Sequence, residues 1–269
     1  MPPPAPTRPA PVPMIAPRSH GAMLSPSRLP RKSPNGPAAR PPAAELTAEM
    51  QQAGVGRAVV WRTEQVQASP VLGHRLLSDD LDRNKQLYGL WAVTPTACDE
   101  SPAPDQLLAE LRQKRIIGFR LFPAGLRYVP KAFVLKAWLE LAVAHHLPVF
   151  VNTAHGCSLE ALGDILERYP DLTVVLTDAN VWPGDRLLRP FVERFLNVYL
   201  DLSYMITAGG IESFVARFGA TRLLYGSGFP RMYFGANMLM VRHAAISQED
   251  RAAIAAGNLE RIIREIRYD

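Results

Sequence analysis

Pro148-Val149-Phe150-Val151-Asn152-Thr153, Leu172-Thr173-Val174-Val175-Leu176-Thr177-Asp178 and Arg222-Leu223-Leu224-Tyr225-Gly226-Ser227-Gly228-Phe229-Pro230 decide how this chain is read. Each is a short apolar run that ends in polar residues. A strand buried on both faces reads as near-continuous Val, Ile and Leu, whereas a half-exposed strand alternates. Polar groups gathered at the C-terminal end of such strands are how an α/β barrel presents its working side chains.

Working outward, the same alternation of strand and helix fills the chain from residue 45. Strands are expected to begin at Arg57, Leu87, Ile116, Pro148, Leu172, Val198 and Leu223. Before and between them lie helical patterns over 45–53, 77–85, 105–114, 133–144, 158–168, 187–195 and 210–218. Gly54 reads as a helix stop, Ser158 as an N-cap, and Ser247-Gln248-Glu249-Asp250 as a capping box. That box opens a helix to Ala256, with Gly257 as its terminator and Asn258 capping a final helix to about Arg267. Repeated right-handed βα units close into a barrel. A doubly wound open sheet competes, but the chain has neither G-x-G-x-x-G nor a phosphate-binding loop.

The first 44 residues have a different composition. They hold 14 of the 25 prolines, six of the 30 basic residues and no acid. Proline removes backbone donors, and so few large apolar groups cannot offset the entropy of ordering. The expected organisation is a disordered Pro/Arg-rich segment over 1–44 and a barrel domain over 45–269. The proline density opposes an amphipathic transit helix, and there is no apolar core of a secretory signal. Setting those six basic residues aside leaves 24 against 25 acidic ones, so the net charge of +5 belongs to the tail. A near-neutral body argues against nucleic acid as a partner. No uncharged apolar run approaches the roughly 18 residues of a membrane span. Cys98 and Cys157 cannot build a disulfide framework, which fits a reducing, cytoplasmic setting.

At the level of motifs the chain resembles the amidohydrolase-related family of TIM barrels. Gly54-Val55-Gly56-Arg57-Ala58-Val59-Val60 is similar to that family's second strand and Gly118-Phe119-Arg120-Leu121-Phe122-Pro123 to its fourth. The three opening segments resemble the fifth, sixth and eighth. Asn197-Val198-Tyr199-Leu200-Asp201-Leu202-Ser203 resembles the seventh, and Gly257-Asn258-Leu259 the signature near the C-terminus. The resemblance implies a TIM-like (β/α) barrel and hydrolysis of C–O or C–N bonds.

Two departures stand out. The family's first strand carries His-x-His, whereas this chain has a single His20. Val12 to Ala16 is apolar, but Pro11, Pro13 and Pro17 oppose an interior strand there, so the first strand is expected to be incomplete or altered. The family's ligands on strands five, six and eight are His, His and Asp; here Asn152, Asp178 and Gly228 stand in those places. Catalytic zinc needs about three protein ligands, and Asn and Gly are poor substitutes. No metal and no cofactor are therefore expected.

What remains at the strand ends is Arg120, Asn152, Asp178, Ser203 and Ser227, with His155 and Arg231 close by. Some relatives are metal-independent lactonases of small dicarboxylates, which suggests Asp178 as general base and an arginine as the carboxylate ligand. The resemblance also weakens this, because those relatives use the eighth-strand Asp that Gly228 replaces. The plainer alternatives are an Asp178 ion pair with Arg120 or Arg186, an Asn152 that caps its own loop, and a tight turn at Gly226-Ser227-Gly228. A His155–Cys157 thiolate is set against a solvated loop histidine. The functional expectation is a metal-free hydrolase or lactonase of small carboxylated substrates, homo-oligomeric or not. Its alternative is a non-catalytic barrel that binds a small acid or serves as a scaffold.

Overall fold

Eight parallel strands in sequence order form the sheet. They appear in a computed structural model that describes residues 21–23, 43–178, 181–205, 207–230, 232 and 234–269. The strands are β1 (Gly21–Met23), β2 (Arg57–Val60), β3 (Leu87–Ala92), β4 (Ile116–Leu121), β5 (Val149–Val151), β6 (Val174–Leu176), β7 (Val198–Asp201) and β8 (Leu223–Leu224). Seven of the eight begin within a residue or two of the expected positions. With helices between successive strands, the result is a TIM-like (β/α) barrel.

The remaining strand, β1, lies where only an incomplete or altered first strand was expected. Gly21–Met23 pairs in parallel with Arg57–Val59, inside the segment whose composition reads as tail. Three residues suffice because backbone pairing needs neither large side chains nor high β-propensity, and no proline falls within them. The rest of 1–42, including His20 and the Val12–Ala16 stretch, lies outside the described residues. The barrel domain therefore includes a strand upstream of the boundary drawn at residue 45, and its first helix begins at Ala43.

Alternation along the strands sorts side chains into two layers. Val59, Leu90, Phe150, Val175, Tyr199 and Leu224 point inward and fill the barrel. Their neighbours Ala58, Val60, Phe119, Val149, Val174 and Leu200 point outward into the larger core beneath the helices. Glycine marks the tightest approach: a Cβ on Gly118 of β4 would fall 2.3 Å from the Pro148 carbonyl oxygen.

The C-terminal segment closes the base. Leu259 and Ile262 insert among the inward residues, while Arg57 at the start of β2 pairs with Glu260. The Tyr268 hydroxyl donates to the Ile116 carbonyl at 2.8 Å. Here one expectation fails. Gly257 does not end a helix, and Asn258 does not cap one; the chain runs helically through both, with a π-helical turn at Ala253–Gly257. The Asn258 amide instead donates to the carbonyls of Ala220 and Leu223, at 2.8 and 2.9 Å. A buried side-chain amide is satisfied by whichever acceptors the fold brings near, and here these are tertiary rather than local. A helix over Phe234–His243, unmarked by any strong periodicity, also goes unanticipated.

Candidate functional site

The C-terminal ends of β4 to β7 bring four of the expected residues into one polar cluster. Arg120 points inward from β4 and is fully buried. Its guanidinium lies 5.2 Å from the Trp61 ring centroid and 5.6 Å from that of Phe122. On the other side its Nη2 is 3.8 Å from Asp178 Oδ2. Burial lowers the Arg120 pKa, and the nearby Asp178 and Asp201 charges counter that. A buried guanidinium needs such carboxylates, because an isolated charge in a low-dielectric interior is costly.

Asp178 is re-aimed by its backbone. Strand alternation turns Thr177 inward, and the next residue should turn out. Asp178 instead adopts φ +53°, a left-handed conformation that Asp tolerates better than most residues. Its carboxylate thereby joins the mouth. The Asn152 Nδ2 donates to Asp178 Oδ2 at 2.6 Å, and the Ser203 Oγ lies 3.1 Å from Oδ1. Asn152 also accepts the Ala154 N–H at 2.8 Å, so it both caps its loop, as the plainer reading expected, and holds Asp178.

Asp201 is the residue the sequence reading missed. It sits at the inward end of β7, fully buried, and its Oδ1 accepts the main-chain N–H groups of Asp178 and Ser203, both at 3.1 Å. Ser203 Oγ contacts the same oxygen. Burial first, and the Asp178 charge second, push the Asp201 carboxyl well above the usual carboxylate range. The signal was present in Asp201-Leu202-Ser203, where alternation puts both polar side chains on the inner face. Asn237, from the unanticipated helix, donates to the carbonyls of Ser203 and Gly226 and ties β7 to β8.

The other expected residues have different surroundings. Ser227 is fully buried, and its Oγ accepts the Phe229 N–H at 3.2 Å, closing the local turn. His155 is half-buried in its loop rather than fully solvated. Its ring packs 4.9 Å from Phe122 and 6.3 Å from Trp61, the two rings that lie against the Arg120 guanidinium. Cys157 is buried, with its thiol pushed up to about 12 by desolvation, which excludes a thiolate beside His155. Arg186 is exposed, so Arg120 is the cation that the cluster uses. Arg231 lies outside the described residues.

The amidohydrolase family model matches residues 16–264, and the match runs through every strand described above. The chain belongs to the amidohydrolase family. Among curated proteins none matches it. Solved structures with the same fold include an uncharacterized TIM-barrel protein from Bordetella bronchiseptica, at 19% identity, 82% coverage of both chains and a TM-score of 0.65. The 5-carboxyvanillate decarboxylase of Sphingomonas paucimobilis is 15% identical, with 83% of each chain covered and a TM-score of 0.59. The 2,6-dihydroxybenzoate decarboxylase from Rhizobium is 10% identical over 92% of this chain and 99% of that one, with a TM-score of 0.66. At these identities the likeness is one of fold.

A divalent ion, as found in barrels of this kind, can be tested against the donors present. Among the described residues no three His, Cys, Asp or Glu side chains converge as a metal would require. The two carboxylates at the mouth already face a buried guanidinium, and burial favours the neutral form of one of them. A hard cation prefers ionised oxygens without a competing fixed charge. The described donor set does not fit one.

Proposed function

We propose that this barrel is a metal-independent hydrolase of a small carboxylated ester or lactone, with Asp178 as general base toward water and Arg120 as the buried positive charge that draws the acid to the mouth. One observation carries this reading. Arg120 is held between aromatic rings and Asp178, at a distance of 3.8 Å that is an ion pair rather than a bidentate hydrogen bond. Asn152 and Ser203 meanwhile hold Asp178 in a fixed orientation at the mouth, as a general base requires.

A second reading is a barrel that binds such an acid without turnover. It is favoured by the same hydrogen bonds, since both Asp178 oxygens are engaged within the protein.

Both are tested with one panel of lactones, dicarboxylates and hydroxybenzoates, the last chosen because barrels of this fold are named for acting on them. Turnover is measured on protein purified without chelator, then with chelator added, and in Asp178→Asn. The hydrolase reading expects chelator-insensitive turnover that falls by about 10²-fold or more in the variant. Equal rates in the two proteins would remove Asp178 as the base, and a requirement for one equivalent of zinc or manganese would overturn the metal-independent assignment. Binding with no turnover selects the second reading.

A further inference from the structure

The Ser203 hydroxyl stands between two carboxylates. Its Oγ is 3.1 Å from Asp178 Oδ1 and in close contact with Asp201 Oδ1. A hydroxyl carries one proton to donate, and an ionised carboxylate carries none. With both acids ionised, only one of these contacts is a hydrogen bond and the other sets two oxygens against each other. With one proton on the pair, both contacts are satisfied: Ser203 donates to one acid and accepts from the other, or the second acid is neutral and repels nothing.

The surroundings supply the rest. Asp201 is fully buried, and its Oδ2 has no hydrogen-bond partner among the described residues. That oxygen faces the Cα of Gly226, where a Cβ would fall 3.0 Å away. The Arg120 charge acts on both carboxylates. Asp178 and Asp201 are further locked together by the main chain, because the Asp178 N–H donates to Asp201 Oδ1.

We infer that Asp178 and Asp201 share one proton across the Ser203 hydroxyl, and that Asp201 is a positioning residue which sets the charge state of Asp178. The inference deepens the assignment of Asp178 as base, and its consequences for catalysis rest on that assignment. The shared proton itself does not. In such a dyad the two titration steps belong to the pair rather than to either acid. Like charges held close cannot both ionise easily, which splits one step upward. The Asp201 carboxyl is raised in the same direction, by burial first and by the Asp178 charge second. Ser203 acts as the conductor that keeps the two acids in one equilibrium.

The test reads the carboxyl groups directly. The full chain is labelled with ¹³C at the aspartate carboxyl carbon, and its NMR spectrum is followed across pH in the wild type, Asp201→Asn and Ser203→Ala. In the wild type the Asp178 and Asp201 carbons should both move in two shared steps, one of them near neutrality. Asp201→Asn should lose the neutral step and leave Asp178 with a single transition at lower pH. Ser203→Ala, which keeps both acids but removes the hydroxyl between them, should shift the neutral step; it also serves if Asp201→Asn fails to fold. Independent, single-step titration of both carbons in the wild type would overturn the shared proton, as would a neutral step unchanged in either variant. Because this readout needs no turnover, a chain that hydrolyses nothing yet shows the coupled steps keeps the dyad and loses only the base. Where turnover exists, its pH profile should lose the neutral limb in Asp201→Asn.

Discussion

The main-chain N–H of Asp178 donates to Oδ1 of Asp201 at 3.1 Å, so the two acids at the ends of β6 and β7 are fixed relative to each other through the backbone. Few side-chain pairs are constrained this way. It places the turn that carries Asp178, with its left-handed backbone, under the control of a buried carboxylate. Several measurable consequences come from that arrangement and from the strands around it.

Removing Asp178 should be costly to the fold as well as to function. Asp178→Ala leaves the buried Arg120 guanidinium without the acid 3.8 Å away. Loss of one partner from a buried ion pair typically costs about 3–5 kcal/mol. The double variant Arg120→Met/Asp178→Leu replaces both charges with apolar groups and should recover much of that loss. Urea denaturation of the single and double variants measures it; a double variant as unstable as the single one would show that the charge is not what the fold depends on.

Stability should respond to pH through two groups of opposite sign. Burial pushes the Asp201 carboxyl up to about 7, whereas the unfolded chain releases that proton near pH ~3.9. Its contribution is therefore complete at low pH and is lost as pH rises toward about 7. His74, buried by stacking on Trp91, is lowered from 6.5 to about 4. Its contribution is complete above 6.5 and is lost as pH falls toward about 4. Asp178, Arg120 and Ser203 face Asp201, and the Ala92 carbonyl faces His74. Asp201→Asn should abolish the loss on the neutral side and move the stability optimum upward, as read from denaturation midpoints across the range. An unchanged profile would contradict it.

Two glycines should tolerate alanine to different degrees. A Cβ at Gly226 would lie 2.9 Å from the Asp201 side chain, which can shift. At Gly118 it would lie 2.3 Å from the Pro148 main-chain oxygen, which belongs to the strand ladder and cannot. Overpacking of this kind costs about 1–3 kcal/mol, and more where backbone must move. Gly118→Ala should show the larger fall in melting temperature, and Gly226→Ala the larger change in Asp201 titration.

Deleting residues 1–42 should lower the melting temperature and promote self-association. The deletion removes β1 and with it the partner of Arg57–Val59. An exposed edge of β2 then offers unpaired backbone groups to other chains. Thermal denaturation and light scattering read the two effects. A melting temperature equal to that of the full chain would mean that β1 pairing adds nothing to stability.

Much of the barrel was legible because its strands are buried on both faces. Val149-Phe150-Val151 and Val174-Val175-Leu176 need no tertiary information to be read as interior strands. Arg120, Asn152, Asp178 and Ser203 were legible for a related reason: polar residues that end such strands have one place to go. The surroundings of His155 were not legible, because a loop sequence does not say which rings it will pack against. Gly257 and Asn258 were misjudged because local capping rules yield when a buried amide finds carbonyls across the fold.

From its residues alone, the chain determined that it makes strands buried on both faces, alternating with amphipathic helices, since burial and periodicity are properties of neighbours in sequence. Only the folded barrel decided that Gly21–Met23 completes the sheet, that Asp178 turns inward against its strand's alternation, and that Asp201 meets it across Ser203. Those outcomes depend on charges, hydrogen-bond partners and strand edges contributed by segments far apart in the chain, and no local pattern carries them.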